Sequence, residues 1–448
     1  MPTIEAAAAA LRRGDTTSVA LTDACLSVIE RRSQSLGAFI TVTADEARNA
    51  ARDADRERAA GIDRGPLHGI PISLKDLVDM AGVPTTAASR VRDGHVARAD
   101  AVVTARLKAA GAVLVGKTNL HEFAFGTTNE DSAYGPARHP LAPERSPGGS
   151  SGGSAVSVAT GMALASIGTD TGGSARIPAA ACGLVGLKPT SGEIPVDGVV
   201  PLSPTLDHVG PLCQTVADTR IVYDVLRGGA PGADVPPTRP LRGLRLGIPQ
   251  TYFLELLDGD VARQFEASCQ RLSAERVTLE PVEVALTEMI AAIYLHLSLP
   301  EAAAYHAPAL EQMPERYTPA VRMRLEAGRY LLAEDYVRAS RGRLAFRAAV
   351  DAALASCDAL ITPTLAIPAP TIGAQTVRIG DRDEPVRNVM LRLTQPFNIS
   401  GHPALALPNG RTAEGLPTSL QIVGRHHQTP ALLDLAQAIE AVVRPAAD

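Results

Sequence analysis

The nine residues Ser146-Pro-Gly-Gly-Ser-Ser-Gly-Gly-Ser154 hold four glycines and four serines, and Gly168-Thr-Asp-Thr-Gly-Gly-Ser174 repeats the recipe shortly after. Glycine at this density opens backbone conformations that other residues cannot take. The first stretch sets several hydroxyls at one bend, and the second ends in a serine behind two glycines. Glycines in such a bend free backbone N–H groups to converge on a developing negative charge, and the serine can be the attacking group. Two such loops, with a base supplied from elsewhere, describe a hydrolytic site.

The rest of the composition narrows the class. A chain of 448 residues exceeds the usual size of one domain, yet large α/β enzymes fold as single units. Hydrophobic residues make up 45% and charged residues 20%, enough for a large core. A net charge of −5, with 3% aromatics and no Trp, argues against a nucleic-acid surface. The five cysteines are scattered and form no C-x-x-C pair, so neither a zinc knuckle nor a disulfide framework is expected. The N-terminus lacks a basic segment followed by an apolar run, and no stretch approaches the ~20 apolar residues of a membrane span. A cytoplasmic protein with no membrane partner is the expectation.

Along the chain, residues 3–61 read as helices, with Asp15-Thr-Thr-Ser18 offering N-cap chemistry before 19–32 and Gly61 closing 44–60. From about residue 69 short apolar strands alternate with helices. Strands are expected at 70–74, 112–115, 162–167 and 184–187, and helices at 100–110, 155–160 and 176–182. Such alternation indicates an α/β sheet with helices on its faces. Residues 228–240 are the richest turn segment and read as a surface connection. Strands resume at 244–248, 359–362 and 404–407; residues 259–355 are mostly helical, and 431–443 is an amphipathic helix.

Three motifs compete for the chemistry. Gly111-Ala-Val-Leu-Val-Gly-Lys-Thr118 satisfies the phosphate-loop pattern letter for letter. Its middle residues read as a buried strand, where a phosphate cradle needs a bend. Gly148-Gly-Ser-Ser-Gly152 matches G-x-S-x-G, but Arg138 to Ser146 does not read as the strand a nucleophile elbow follows. No histidine has a distinctive setting except Asp207-His208, which reads equally as a turn. The third reading joins Lys75, in Gly69-Ile-Pro-Ile-Ser-Leu-Lys-Asp76, to the two serine loops. Burial at a strand end would lower its pKa and make a neutral amine base; a solvated strand-end lysine is the equal alternative.

Residues 148–154 and 168–178, with Cys182-Gly-Leu-Val-Gly-Leu-Lys-Pro-Thr190, resemble the signature of the amidase signature family. The likeness continues at 69–76, 116–126, 206–211, 396–401 and 415–424, and is weakest over 250–350. It implies one amidase-signature unit over 1–448: a large central mixed sheet flanked by helices on both faces, after an N-terminal helical segment at 1–61. Residues 62–230 would be the signature core and 241–448 the second half of the sheet, with 259–355 lining the substrate entrance. By motif position the nucleophile would be Ser174, the bridging serine after a cis peptide Ser150, and the base Lys75. Backbone N–H groups of Thr171, Gly172, Gly173 and Ser174 would form the oxyanion hole, and Ser151 and Thr169 would support it. Asp170 and Arg176 flank the nucleophile and read best as a structural ion pair.

The resemblance implies an amidohydrolase that cleaves a non-peptide C–N bond of a small amide or carbamate. It would need no cofactor or metal and no nucleic acid, with a homodimer left open. The alternative is the glutamine-hydrolysing subunit of a tRNA-dependent amidotransferase; chain length and the weakly matching 250–350 segment count against it. Tyr294, Tyr305, Tyr317, Tyr330 and Tyr336 either line an entrance or pack between helices.

Overall fold

Short strands punctuated by glycine and separated by helices leave the chain one economical arrangement, a sheet covered on both faces. The computed structural model describes residues 2–229 and 240–444. In chain order the strands are β1 Phe39–Val42, β2 Pro71–Lys75, β3 Val113–Thr118, β4 Ala165–Thr169, β5 Val185–Lys188 and β6 Val209–Cys213. There follow β7 Arg245–Pro249, β8 Thr278–Val282, β9 Ala359–Pro363, and a separate hairpin of β10 Thr376–Ile379 and β11 Arg382–Pro385. β12 Ala404–Arg411 and β13 Pro417–Val423 come last.

Apart from the hairpin, these make one 11-stranded sheet in the order β1-β3-β2-β4-β6-β5-β12-β13-β9-β7-β8. β3, β2 and β4 are parallel neighbours, the middle of the sheet is antiparallel, and β9, β7 and β8 are parallel again. The sheet is therefore mixed, as expected. Alternation along β12 divides the core: Leu405 and Leu407 join one apolar cluster with Val222, Leu433 and Ile439. Ala404 and Ala406 join the other, with Ile177, Ile293 and Phe397. Helices Val216–Arg227 and Thr429–Val443 cover the first face, and Arg176–Cys182 and Ile290–Gln312 lie over the second.

Local punctuation follows the sequence closely. Thr17 caps the helix Ser18–Leu36 by accepting from the Ala20 N–H, and Gly61 (φ +83°) follows the helix Ala44–Ala59. Two expectations need correction. The N-terminal segment is not wholly helical, because β1 pairs antiparallel with β3 at the sheet edge (Val42 opposite Gly116). The 259–355 region contains β8, which extends the other edge beside β7. Both are short and partly exposed, so neither carries the apolar run of a buried strand, and Pro281 is tolerated in β8 because an edge strand leaves N–H groups unpaired. The turn segment at 228–240 lies outside the described residues for most of its length. Among the described residues no helix is long and apolar enough to cross a membrane.

Candidate active site

β2 and β4 are adjacent and parallel, with Leu74 opposite Ile167, so they finish together. Their last residues, Lys75 and Thr169, emerge side by side at the carboxyl ends of the strands, where open α/β sheets form their crevices. The Gly/Ser block crosses this spot before entering the helix Gly152–Ala159. It can do so only without side chains: a Cβ on Gly153 would lie 2.5 Å from the carbonyl oxygens of Ala38 and Asn119. The peptide bond Gly149–Ser150 is cis.

Lys75 is fully buried, and its Nζ donates to Ser150 Oγ and to Thr169 Oγ1, each at 2.7 Å. This decides between the two sequence readings of Lys75 in favour of the buried one. Burial pushes its pKa down to about 7, with Asp170 and Asp207 acting in the opposite sense. Ser151 and Thr169 clasp one another: Ser151 Oγ donates to the Thr169 carbonyl (3.3 Å) and accepts from its N–H (3.4 Å). Ser174 is bound to the same bend through the backbone, where the Ser151 N–H donates to its carbonyl at 3.2 Å. Only 6% of Ser174 is exposed.

The second Gly-rich stretch is held open. No N–H of Thr171, Gly172, Gly173 or Ser174 donates to another protein group among the described residues, which leaves four donors for a ligand. The loop is gripped by its other atoms. Thr171 Oγ1 donates to Asp207 (2.6 Å), and the Gly172 carbonyl accepts from Thr394 Oγ1 (2.6 Å). Gly173 has φ +140°, a conformation few L side chains adopt, and a Cβ there would strike Thr394. Behind the loop Asp170 and Arg176, both fully buried, pair at 2.9 Å. Asp170 also accepts from the N–H groups of Ala175 and Arg176 and from Asn398. Burial raises its pKa, but the Arg176 charge and the side-chain hydrogen bonds from Arg176 and Asn398 outweigh it and hold the carboxyl well below the usual range. Arg176 donates to Gln421, Asn398 and the Thr394 carbonyl.

Lys75, Ser150, Ser151, Thr169, Asp170, Arg176 and the loop Thr171–Ser174 thus lie together, linked by the hydrogen bonds and the ion pair just described. Those the sequence missed are the braces from the far end of the chain (Thr394, Asn398, Gln421) and Asp207. Asp207, Asn398 and Gln421 lie in segments that carried family resemblance, but nothing local gave Thr394, Asn398 or Gln421 a target on a loop more than 200 positions away. Of the five tyrosines, Tyr294 alone reaches this loop, its hydroxyl 2.5 Å from where a Gly172 Cβ would be. Tyr317 packs with Phe123 and His306, Tyr336 donates to Glu301, and Tyr330 is 84% exposed. A cavity of about 150 Å³ opens beside Thr169 and Thr171 against Leu77, Ala124, Val199 and Leu202.

The competing motifs do not assemble. Lys117 is buried in an ion pair with Asp76 at 2.9 Å, inside β3 rather than on a phosphate loop. His208 meets the Leu206 carbonyl through Nδ1 and Lys188 through Nε2, facing no serine. No strand precedes the G-x-S-x-G match. Among the described residues no three His, Cys, Asp or Glu side chains are grouped to hold a metal ion.

Known proteins share this architecture. The amidase family matches residues 20–433. A solved amidase superposes with TM-score 0.93 at 36% identity, covering 99% of this chain and 100% of its own. The glutamyl-tRNA(Gln) amidotransferase A subunit of Chloroflexus aurantiacus is 38% identical over 98% of this chain and 96% of its own length. The structure of its counterpart from Thermotoga maritima gives TM-score 0.78 at 30% identity, covering 96% of this chain and 93% of its own. End-to-end relatives of this kind are components of a glutamyl-tRNA(Gln) amidotransferase. That finding overturns the expectation of a free-standing amidohydrolase, and with it a partner list without nucleic acid. Chain length misled because the alignment spans 474 positions, so the difference is absorbed by gaps rather than lost from one end. Coverage of 98% of this chain takes in the 250–350 segment as well. By the family match, by end-to-end similarity and by the sheet itself, the chain belongs to the amidase family.

Proposed function

We propose that this protein is the glutamine-hydrolysing component of a tRNA-dependent amidotransferase, and that Ser174, Ser150 and Lys75 carry its chemistry. The observation that supports the assembly most directly is the 38% identity to such a component over almost the whole of both chains. What supports the chemistry is a buried lysine with a pKa near 7 on the hydroxyl of Ser150.

Neutral Lys75 takes the proton of Ser150 as Ser150 takes that of Ser174, and Ser174 Oγ attacks the side-chain amide carbon of glutamine. The oxyanion is received by the free N–H groups of residues 171–174. The proton returns through Ser150 to the leaving nitrogen, releasing ammonia and a glutamyl ester on Ser174. Water, deprotonated through the same relay, cleaves the ester to glutamate. The ammonia is passed to glutamyl-tRNA on a partner protein. The described residues act as one unit around the sheet.

The test is ammonia release from glutamine by the purified chain, alone and with co-expressed partner proteins and glutamyl-tRNA. Release that rises with the partners and vanishes in Ser174→Ala supports the reading; glutamine left intact under both conditions overturns it.

A further inference from the structure

The chain has 7 Phe, 8 Tyr and no Trp, yet Phe123, Tyr305 and Tyr317 gather around one buried imidazole. The His306 ring meets Phe123 edge to face at 4.3 Å and Tyr305 at 4.9 Å. The Tyr317 hydroxyl lies 3.0 Å from His306 Nδ1. When that hydroxyl donates, the proton of the neutral ring is on Nε2. Nε2 is shielded from water and meets no hydrogen-bond partner among the described residues. A buried donor in this state is costly unless something accepts from it.

The cluster is open on one side. A cavity of about 460 Å³ lies between the helix Ile290–Gln312 and the turn at 91–95, with Phe123, Tyr305 and His306 in its wall. Tyr305 is 41% exposed, so part of its side chain is free to move in solvent. Arg92 and His95 line the same cavity. Arg92 Nε donates to the Thr85 carbonyl at 2.9 Å. No carboxylate pairs with its guanidinium among the described residues, and Asp93, the acid in the lining, faces Arg90 at 3.7 Å instead. Burial first, and the Arg92 charge next, bring His306 down to about 4, so its ring is neutral near pH 7. The volume is that of a small-molecule site. It shares no lining residue with the cavity beside Thr169 and Thr171.

We propose that this cavity is a second binding site, separate from the serines, for a planar aromatic carboxylate. The partly exposed Tyr305 ring shifts onto the ring of the ligand, which uncovers the imidazole. The carboxylate then pairs with the Arg92 fork and accepts from His306 Nε2. The bound anion supplies both the missing acceptor and the missing counter-charge. This goes beyond the glutamine reading and does not depend on it.

The experiment titrates the full-length chain, with any co-purifying partner, with benzoate by ligand-observed NMR. The comparison ligands are benzyl alcohol, which lacks the charge, and cyclohexanecarboxylate, which lacks the flat ring. Benzoate is expected to bind with Kd of about 1 mM or below, and about 10-fold tighter than either comparison ligand. Arg92→Gln and Tyr305→Ala, both at positions open to solvent, each weaken benzoate by about 10-fold. His306→Phe, which keeps a ring for Phe123 to pack on, weakens it as well. Ser174→Ala binds benzoate as the wild type does. Absence of binding, or a benzoate affinity that none of the first three substitutions alters, overturns the proposal. Benzyl alcohol matching benzoate overturns the role of the charge, and cyclohexanecarboxylate matching it overturns the aromatic assignment. Benzoate binding lost in Ser174→Ala places the ligand at the serines and overturns the second site.

Discussion

Lys75 carries the chemistry of the proposed relay because of where β2 ends. Its ammonium form is disfavoured by burial, and the carboxylates of Asp170 and Asp207 recover only part of that loss. Two measurements follow. Because the base is the neutral amine, kcat/KM is expected to rise through an apparent pKa of about 7 and level off above it; a profile flat from pH 6 to 9 removes Lys75 as the base. The same shift acts on stability. Between about 7 and the ordinary value of 10.5 the unfolded chain holds a proton that the folded chain lacks, so this group's contribution rises with pH over that window. The stability of Lys75→Met relative to wild type is therefore expected to be greatest at or below pH 7 and to shrink toward pH 10.5, followed by denaturant melts. Ser174→Ala abolishes turnover, and Ser150→Ala lowers it by several orders of magnitude; a Ser150→Ala rate within a few-fold of wild type breaks the relay.

The elements matter for how they hold groups that have no freedom of their own. The four free N–H groups lie in a loop, and the helix of residues 395–400 with its preceding Thr394 fixes the tilt of that loop through the Gly172 carbonyl. Thr394→Val removes this bond while keeping the shape, and kcat is expected to fall by about 10-fold or more with a smaller change in KM, measured by steady-state kinetics. Equal changes in both would mean that Thr394 serves binding instead. Behind the loop, Asp170→Asn leaves the Arg176 guanidinium buried without its counter-charge. A loss of about 3–5 kcal/mol is expected in urea unfolding, since breaking a buried pair from one side exposes the full desolvation cost. Their positions flanking Ser174 read as a structural ion pair, and the pair is found; their further partners Asn398 and Gln421 were invisible because no local pattern says which way a buried amide points.

At the scale of the molecule, the sheet decides between motifs that look alike on paper. Gly111-Ala-Val-Leu-Val-Gly-Lys-Thr118 keeps every letter of a phosphate loop, yet its lysine is spent on Asp76 inside β3. ATP is accordingly expected to leave the Tm unchanged, and a rise of several degrees would reopen nucleotide binding. Regularly patterned pieces were legible from residues alone: the caps at Thr17 and Gly61, the helix Arg176–Cys182, the strands around Lys75 and Lys117. The edge strands β1 and β8 were not, because half-exposed strands of four or five residues carry too little apolar periodicity. By itself the sequence determined the α/β class, the glycines that let the backbone bend, and the residue types that gather at the bends, since these depend on local sterics and hydrophobic periodicity. Only the tertiary structure decided that Lys75 is buried on Ser150 and that residues from 394–421 brace a loop at 170–176. Those facts depend on which strand ends and helix faces the sheet order brings into contact, and that order is a property of long-range packing.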